Sequence, residues 1–292
     1  MRQRLTALVV AATALTVSIA TPSFAAKTAG IDDARTAVRT HASSAPTSTA
    51  RAGGIDRVGE AYMGWSAHRG TPVTAPAGPT DAIRAAATQT PGIDVASHQG
   101  NVDWAYWWGQ GKKFAYVKAT EGTYYTNPYF PQQYNGSYNI GMIRGAYHFA
   151  RPDTTTGATQ ANYFVDHGGG WSRDGKTLPG ALDIEYNPYG ATCYGLSHSA
   201  MVSWIRSFTS QYKARTGRDA VIYTTTDWWT QCTGNNASFG STNPLWIARY
   251  ASAPGTLPAG WGTRTIWQYT SSPLDQNYFN GAYDRLQALA NG

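Results

Sequence analysis

The chain has 292 residues, 42% hydrophobic and 13% aromatic, with 23 Lys and Arg against 17 Asp and Glu. From Pro91 onward the balance narrows to 14 basic against 12 acidic residues, which excludes the dense basic footprint that nucleic-acid binding needs. The only cysteines are Cys193 and Cys232, and no CxxC occurs, so a zinc or redox centre built on thiolates is ruled out.

The first segment, MRQRLTALVVAATALTVSIATPSFAA, has Arg2 and Arg4, an apolar stretch from Leu5 to Ile19, and small residues around Ser23-Phe24-Ala25. It reads as a secretory signal cut after Ala25. Nothing later approaches the roughly 18 unbroken apolar residues of a membrane span. An extracellular protein with no membrane attachment is expected, and in that compartment Cys193 and Cys232 should pair.

Residues 26–90 are rich in Ala, Thr, Ser, Pro and Gly, as in HASSAPTSTARAGG and RGTPVTAPAGPT. Few large apolar side chains are present to offset the entropy of ordering. A leader, pro-segment or linker is expected, with RVGEAYMGWSAH (57–68) its one island of potential order and no role attached to it. All aromatic residues except Phe24, Tyr62 and Trp65 lie at or beyond Pro91. Residues 91–292 therefore form one domain with a sizeable core.

In chain order, strands are expected at 92–97, 114–120, 143–150, 178–186, 220–226, 244–250, 265–270 and 274–279. Helix-length segments separate the early ones. The clearest spans Ser197 to Thr216, with Met201, Trp204, Ile205, Phe208 and Tyr212 on one face and Gly217 as its stop. The pair Lys112-Lys113 reads as a solvated helix end. Alternating strands and helices predict a parallel α/β sheet, and eight strands suggest closure into a TIM-like barrel. The 250–265 connection carries Pro254, Gly255, Pro258, Gly260 and Gly262, which no helix tolerates. The barrel should therefore have about five helices and a helix-poor closing side.

In LPGALDIEYNP (178–188) a strand-like run holds Asp183 and Glu185, both on one face and roughly 6–7 Å apart along the backbone. Burying unpaired carboxylates is costly enough that two of them demand a use. Strand C-terminal ends meet at one mouth of such a barrel. Asp94 ends the first strand and Asp275 falls on the last, which closure makes its neighbour, so four acids can converge. Acetal hydrolysis asks for this: one carboxyl keeps its proton for the leaving oxygen while another, ionised, stabilises or attacks the cationic centre. Tyr147, Tyr223, Trp246, Tyr250 and Trp267 are candidates for stacking against sugar rings. His148 reads as a core histidine, and Lys118 with Glu121 as a pair that serves nearby acids or holds a loop.

GIDVASHQGNVDW, FAYVKATEGTYYTNPYF, GMIRGAYHFARP, LPGALDIEYNP, AVIYTTTDWW, PLWIARY and IWQYTSSPLDQNYFNG together resemble, in order and spacing, glycoside hydrolase family 25, the Chalaropsis-type lysozymes. The resemblance covers 91–292 and none of the leader. It implies a (β/α)5(β)3 barrel and a metal-free, cofactor-free N-acetylmuramidase that cuts the β-1,4 bond between N-acetylmuramic acid and N-acetylglucosamine in peptidoglycan. It also implies Glu185 as acid/base, Asp183 as its partner, and Asp94 and Asp275 beside them. The last block departs from the family pattern, being compressed to SSPLDQNYF around Asp275. No coiled-coil heptad occurs, and a monomer with peptidoglycan glycan strands as partner is expected. The chitinase pattern DxxDxDxE fails at Leu178 and Ala181. The HxxxH ligand pair of metal-dependent deacetylases fails at His98, His148, His167 and His198. A glycan-binding module without catalysis is the remaining rival, although stacking alone gives no reason to keep Asp183 and Glu185.

Overall fold

The computed structural model describes residues 55, 57–67 and 89–292. The signal and the low-complexity pieces of the leader lie outside the described residues. Within these the strands are β1 (Thr90–Val95), β2 (Phe114–Glu121), β3 (Tyr125–Thr126), β4 (Ile143–Phe149), β5 (Ala181–Asp183), β6 (Val221–Thr224), β7 (Leu245–Ala248), β8 (Ile266–Thr270) and β9 (Gln276–Phe279). The helices are α1 (Trp104–Gly109), α2 (Phe130–Asn139), α3 (Gly157–Phe164), α4 (His198–Thr216), α5 (Thr226–Thr233) and α6 (Tyr283–Asn291). The sheet order is β1-β9-β8-β7-β6-β5-β4-β2-β3, and β1 also pairs with β2, which closes the barrel. The two-residue β3 is a tab on β2 outside the closed ring.

Helices α1 to α5 follow the first five barrel strands, and β7, β8 and β9 follow one another without a helix between them. This is the expected irregular barrel. One difference is the direction of β9, antiparallel to both β8 and β1, because the few residues between β8 and β9 leave room only for a reversal. A second is α6, which the strand-and-helix reading did not anticipate. Its Leu286 and Ala290 pack with Phe114, Ile143 and Leu178 and close the barrel at its N-terminal end.

Strand alternation sorts the wall into two faces. Tyr116, Tyr147, Ala181, Val221, Tyr223, Trp246, Ala248 and Ile266 pack together inside. Ala146, Leu182, Ile222, Leu245, Ile247 and Trp267 pack outside, against the aromatic stripe of α4. That helix begins where Ser197 Oγ accepts the Ala200 N–H and ends at Gly217, φ 75°, as its sequence signals require. Cys193 and Cys232 are bonded, with Cα atoms 5.3 Å apart and a sequence separation of 39. The bridge ties the loop after β5 to α5 and is worth roughly 3–4 kcal/mol if loop closure dominates. Lys112 is not a solvated helix end: it is buried and its Nζ donates to Gln276 Oε1 at 2.6 Å. Lys113 lies over the Trp108 ring. No helix among the described residues is long and apolar enough to cross a membrane.

Candidate active site

The strand expected over 178–186 is regular only at Ala181–Asp183. Pro179 has no N–H to offer a ladder, and past Asp183 the backbone makes one more barrel bond, from Ile184 N–H to Tyr223 O at 3.0 Å. Glu185 therefore sits just beyond the strand's tip, on the same side of the chain as Asp183. Both are fully buried. Asp94 and Asp275 join them from the closing strands. Asp94 Oδ2 accepts from Asn277 Nδ2 at 2.7 Å and Gln268 Nε2 at 3.0 Å. Asp275 Oδ1 accepts from the Tyr250 hydroxyl at 3.1 Å, and its carbonyl takes the Asp94 N–H, also at 3.1 Å. The compressed last block thus still delivers Asp275 to the mouth.

Four acids in one water-poor cavity cannot all ionise easily. Burial pushes Asp94 and Glu185 each up to about 7. Asp183 rises well above the carboxylate range through burial and then the neighbouring Glu185 charge, and Asp275 through burial and then Asp94. No N–H or hydroxyl among the described residues donates to either Asp183 oxygen.

Residues 57–67 enter this mouth from outside the barrel. Gly64 N–H donates to Glu185 Oε1 at 2.7 Å and Ser66 Oγ to Oε2 at 2.8 Å. Lys118 reaches Glu121 Oε2 at 2.6 Å and donates to the carbonyls of Gly59, at 3.0 Å, and Ala61. Both roles the sequence left open are seen: Lys118 pairs with an acid, Glu121, and it holds a loop. His148 is a core histidine: Thr120 Oγ1 lies 2.7 Å from Nδ1 and Gln160 Oε1 2.9 Å from Nε2. Burial lowers it to about 4.

Tyr147, Tyr223 and Trp246 form the cavity floor, and Tyr250 stands at its rim between Asp275 and Gln268. Trp267 is not brought there. Ile266 and Gln268 face inward, so Trp267 faces outward, where its indole N–H donates to Arg249 O at 2.9 Å and its ring packs in the outer cluster. Gln268 and Asn277, which hold Asp94, were missed by the sequence reading. Asp275 and Asn277 repeat the two-residue spacing of Asp183 and Glu185, and that signal was available.

The comparisons with known proteins agree with this geometry. Residues 93–277 match Glycosyl hydrolases family 25. Lysozyme M1 of Streptomyces globisporus is 51% identical over 208 residues, 68% of this chain and 71% of its own. The N,O-diacetylmuramidase of Chalaropsis sp is 50% identical over 208 residues, 69% of this chain and 99% of its own. The solved muramidase of Acremonium alcalophilum superposes with a TM-score of 0.69 at 58% identity, over 70% of this chain and 99% of that one. With a (β/α)5(β)3 barrel, an acid cluster at its mouth and these matches, the chain belongs to glycosyl hydrolase family 25 and is a glycoside hydrolase.

Proposed function

We propose that this protein is an exported lysozyme that hydrolyses the β-1,4 bond between N-acetylmuramic acid and N-acetylglucosamine in peptidoglycan, with retention of configuration. Glu185 is the acid that protonates the departing glycosidic oxygen and then, as a carboxylate, activates water. The observation that carries this reading is the buried Asp183–Glu185 pair at one strand tip, with Glu185 pushed up to about 7 by burial. A carboxyl in that range still holds a proton at neutral pH and loses it readily, which both halves of the cycle need.

Asp183 holds the substrate's own acetamido group while that group attacks the anomeric carbon. Its two buried oxygens have no N–H donor of the protein, and an amide N–H from the sugar supplies the partner they lack. The alternative, direct attack by Asp183, also predicts retention. Asp94, tied by Asn277 and Gln268, raises the proton affinity of Asp183, and Asp275, tied by Tyr250, stands beside Asp94. Tyr147, Tyr223, Trp246 and Tyr250 supply the apolar surface for the sugar faces.

Purified cell walls incubated with the protein should clear, and borohydride reduction of the fragments should yield muramicitol, because each cut leaves muramic acid at the new reducing end. Glucosaminitol as the main reduced sugar, or pelleting of the protein on walls that never clear, contradicts the reading.

A further inference from the structure

Residues 57–67 interest us because they bond to the groups the reaction needs rather than to neutral surface. The segment makes two successive turns, closed by Glu60 N–H to Arg57 O at 3.1 Å and Trp65 N–H to Tyr62 O at 3.2 Å. Met63 is fully buried against the cavity floor, and its N–H donates to the Tyr147 hydroxyl at 3.3 Å. The Gly64 carbonyl accepts from the Tyr250 hydroxyl at 3.2 Å. Tyr62 packs over His98 at 4.4 Å between ring centroids, and the Trp65 indole donates to Tyr186 O at 3.2 Å. Both oxygens of Glu185 are taken, by a backbone N–H and a serine hydroxyl.

We propose that residues 57–67 are a built-in inhibitor: a strap that occupies the glycan-binding mouth, masks Glu185, and must leave before a glycan strand can bind. This rests on reading the Asp183–Glu185 cleft as the hydrolase's groove. Two features fit an occupant that imitates substrate. The strap's hydroxyl and amide N–H meet Glu185 with the kinds of donor a sugar also carries, and Met63 fills the floor where a sugar face would lie. It also occupies both Glu185 oxygens, so that neither is open to a glycosidic oxygen. Being part of the same chain, it competes with substrate at a high effective concentration.

The close approach depends on two glycines. Gly64 has φ +82°, and a Cβ there would lie 2.4 Å from Gln268 Oε1 and 2.5 Å from the Tyr250 hydroxyl. Gly59 has φ +98°, and a Cβ there would lie 2.4 Å from the Tyr125 ring. A side chain at 64 therefore strains the backbone and forces either the strap or the tips of Gln268 and Tyr250 to shift, which weakens the docking.

The test uses the full chain and two variants outside the acid cluster, Gly64→Leu and Met63→Asp. Hydrogen exchange over 57–67 reports release of the strap, exchange over β2 and β4 reports integrity of the barrel, and clearing of cell walls reports activity. In the variants we expect fast exchange over 57–67, an intact barrel, and clearing at least about tenfold faster than the unaltered chain. A synthetic peptide of residues 57–67 added to Gly64→Leu should raise the apparent KM and leave kcat unchanged. Released straps with unaltered clearing rates overturn the inhibitor and leave the hydrolase reading standing. Released straps with no clearing by any form overturn the reading of the cleft, and the inhibitor with it. Continued protection of 57–67 in both variants contradicts the docking itself.

Discussion

Glu185→Gln, made in the Gly64→Leu chain so that release of the strap is not confused with chemistry, should lower the rate of wall hydrolysis by about 10²–10⁴-fold. The amide keeps the shape of the carboxyl and can neither give nor take the catalytic proton. The fold should persist, because the substitution removes a group whose charged form is costly to bury. Circular dichroism and the melting temperature check this, and a melting temperature equal to or above that of the parent is expected. Substantial residual turnover with an intact barrel contradicts the role assigned to Glu185.

Stability should fall as pH rises from about 6.5 to about 8, against the habit of most proteins with paired carboxylates. The sign follows from the direction of the shifts. Asp94 and Glu185 are raised to about 7, and burial raises Asp183 and Asp275 as well. The native state therefore holds protons that the unfolded chain has already released. That contribution is complete below the ordinary carboxylate range and is lost as pH climbs through the raised values. His98 and His148 are lowered to about 4 by burial and act the other way, losing stability as pH falls below about 6.5; Lys112, lowered to about 8 by burial, and Lys118, lowered likewise, also oppose the acids toward the top of the window, so the acids set the slope in its lower part. Each proton retained is worth about 1.4 kcal/mol per pH unit, and the melting temperature should drop by roughly 3–8 °C across the window. Asp183→Asn should flatten that slope. A melting temperature that rises over the same window contradicts the crowding of the four acids.

The parts of this architecture that sequence revealed are those decided locally. The α4 stripe, its serine cap and its glycine stop lie within one run of chain, and Asp183 and Glu185 share a face through strand geometry alone. The parts that were hidden are decided by distant partners. Lys112 is buried because Gln276 reaches it across the closing strands. Trp267 leaves the groove because the inward positions of β8 are taken by Ile266 and Gln268. The strap was visible only as RVGEAYMGWSAH, too short and too poor in apolar side chains to order itself. Its order comes from contacts such as Gly64 with Glu185, 121 residues apart, and from two glycines whose need arises only against the barrel.

The claim on which the rest depends is that Asp183 and Glu185 cleave the glycan through a double displacement. Proton NMR of the anomeric region during the first turnovers on soluble peptidoglycan strands tests it most directly. The account predicts β-configured reducing ends first, with the α form growing only by mutarotation. Prompt release of the α anomer would contradict both versions of the mechanism.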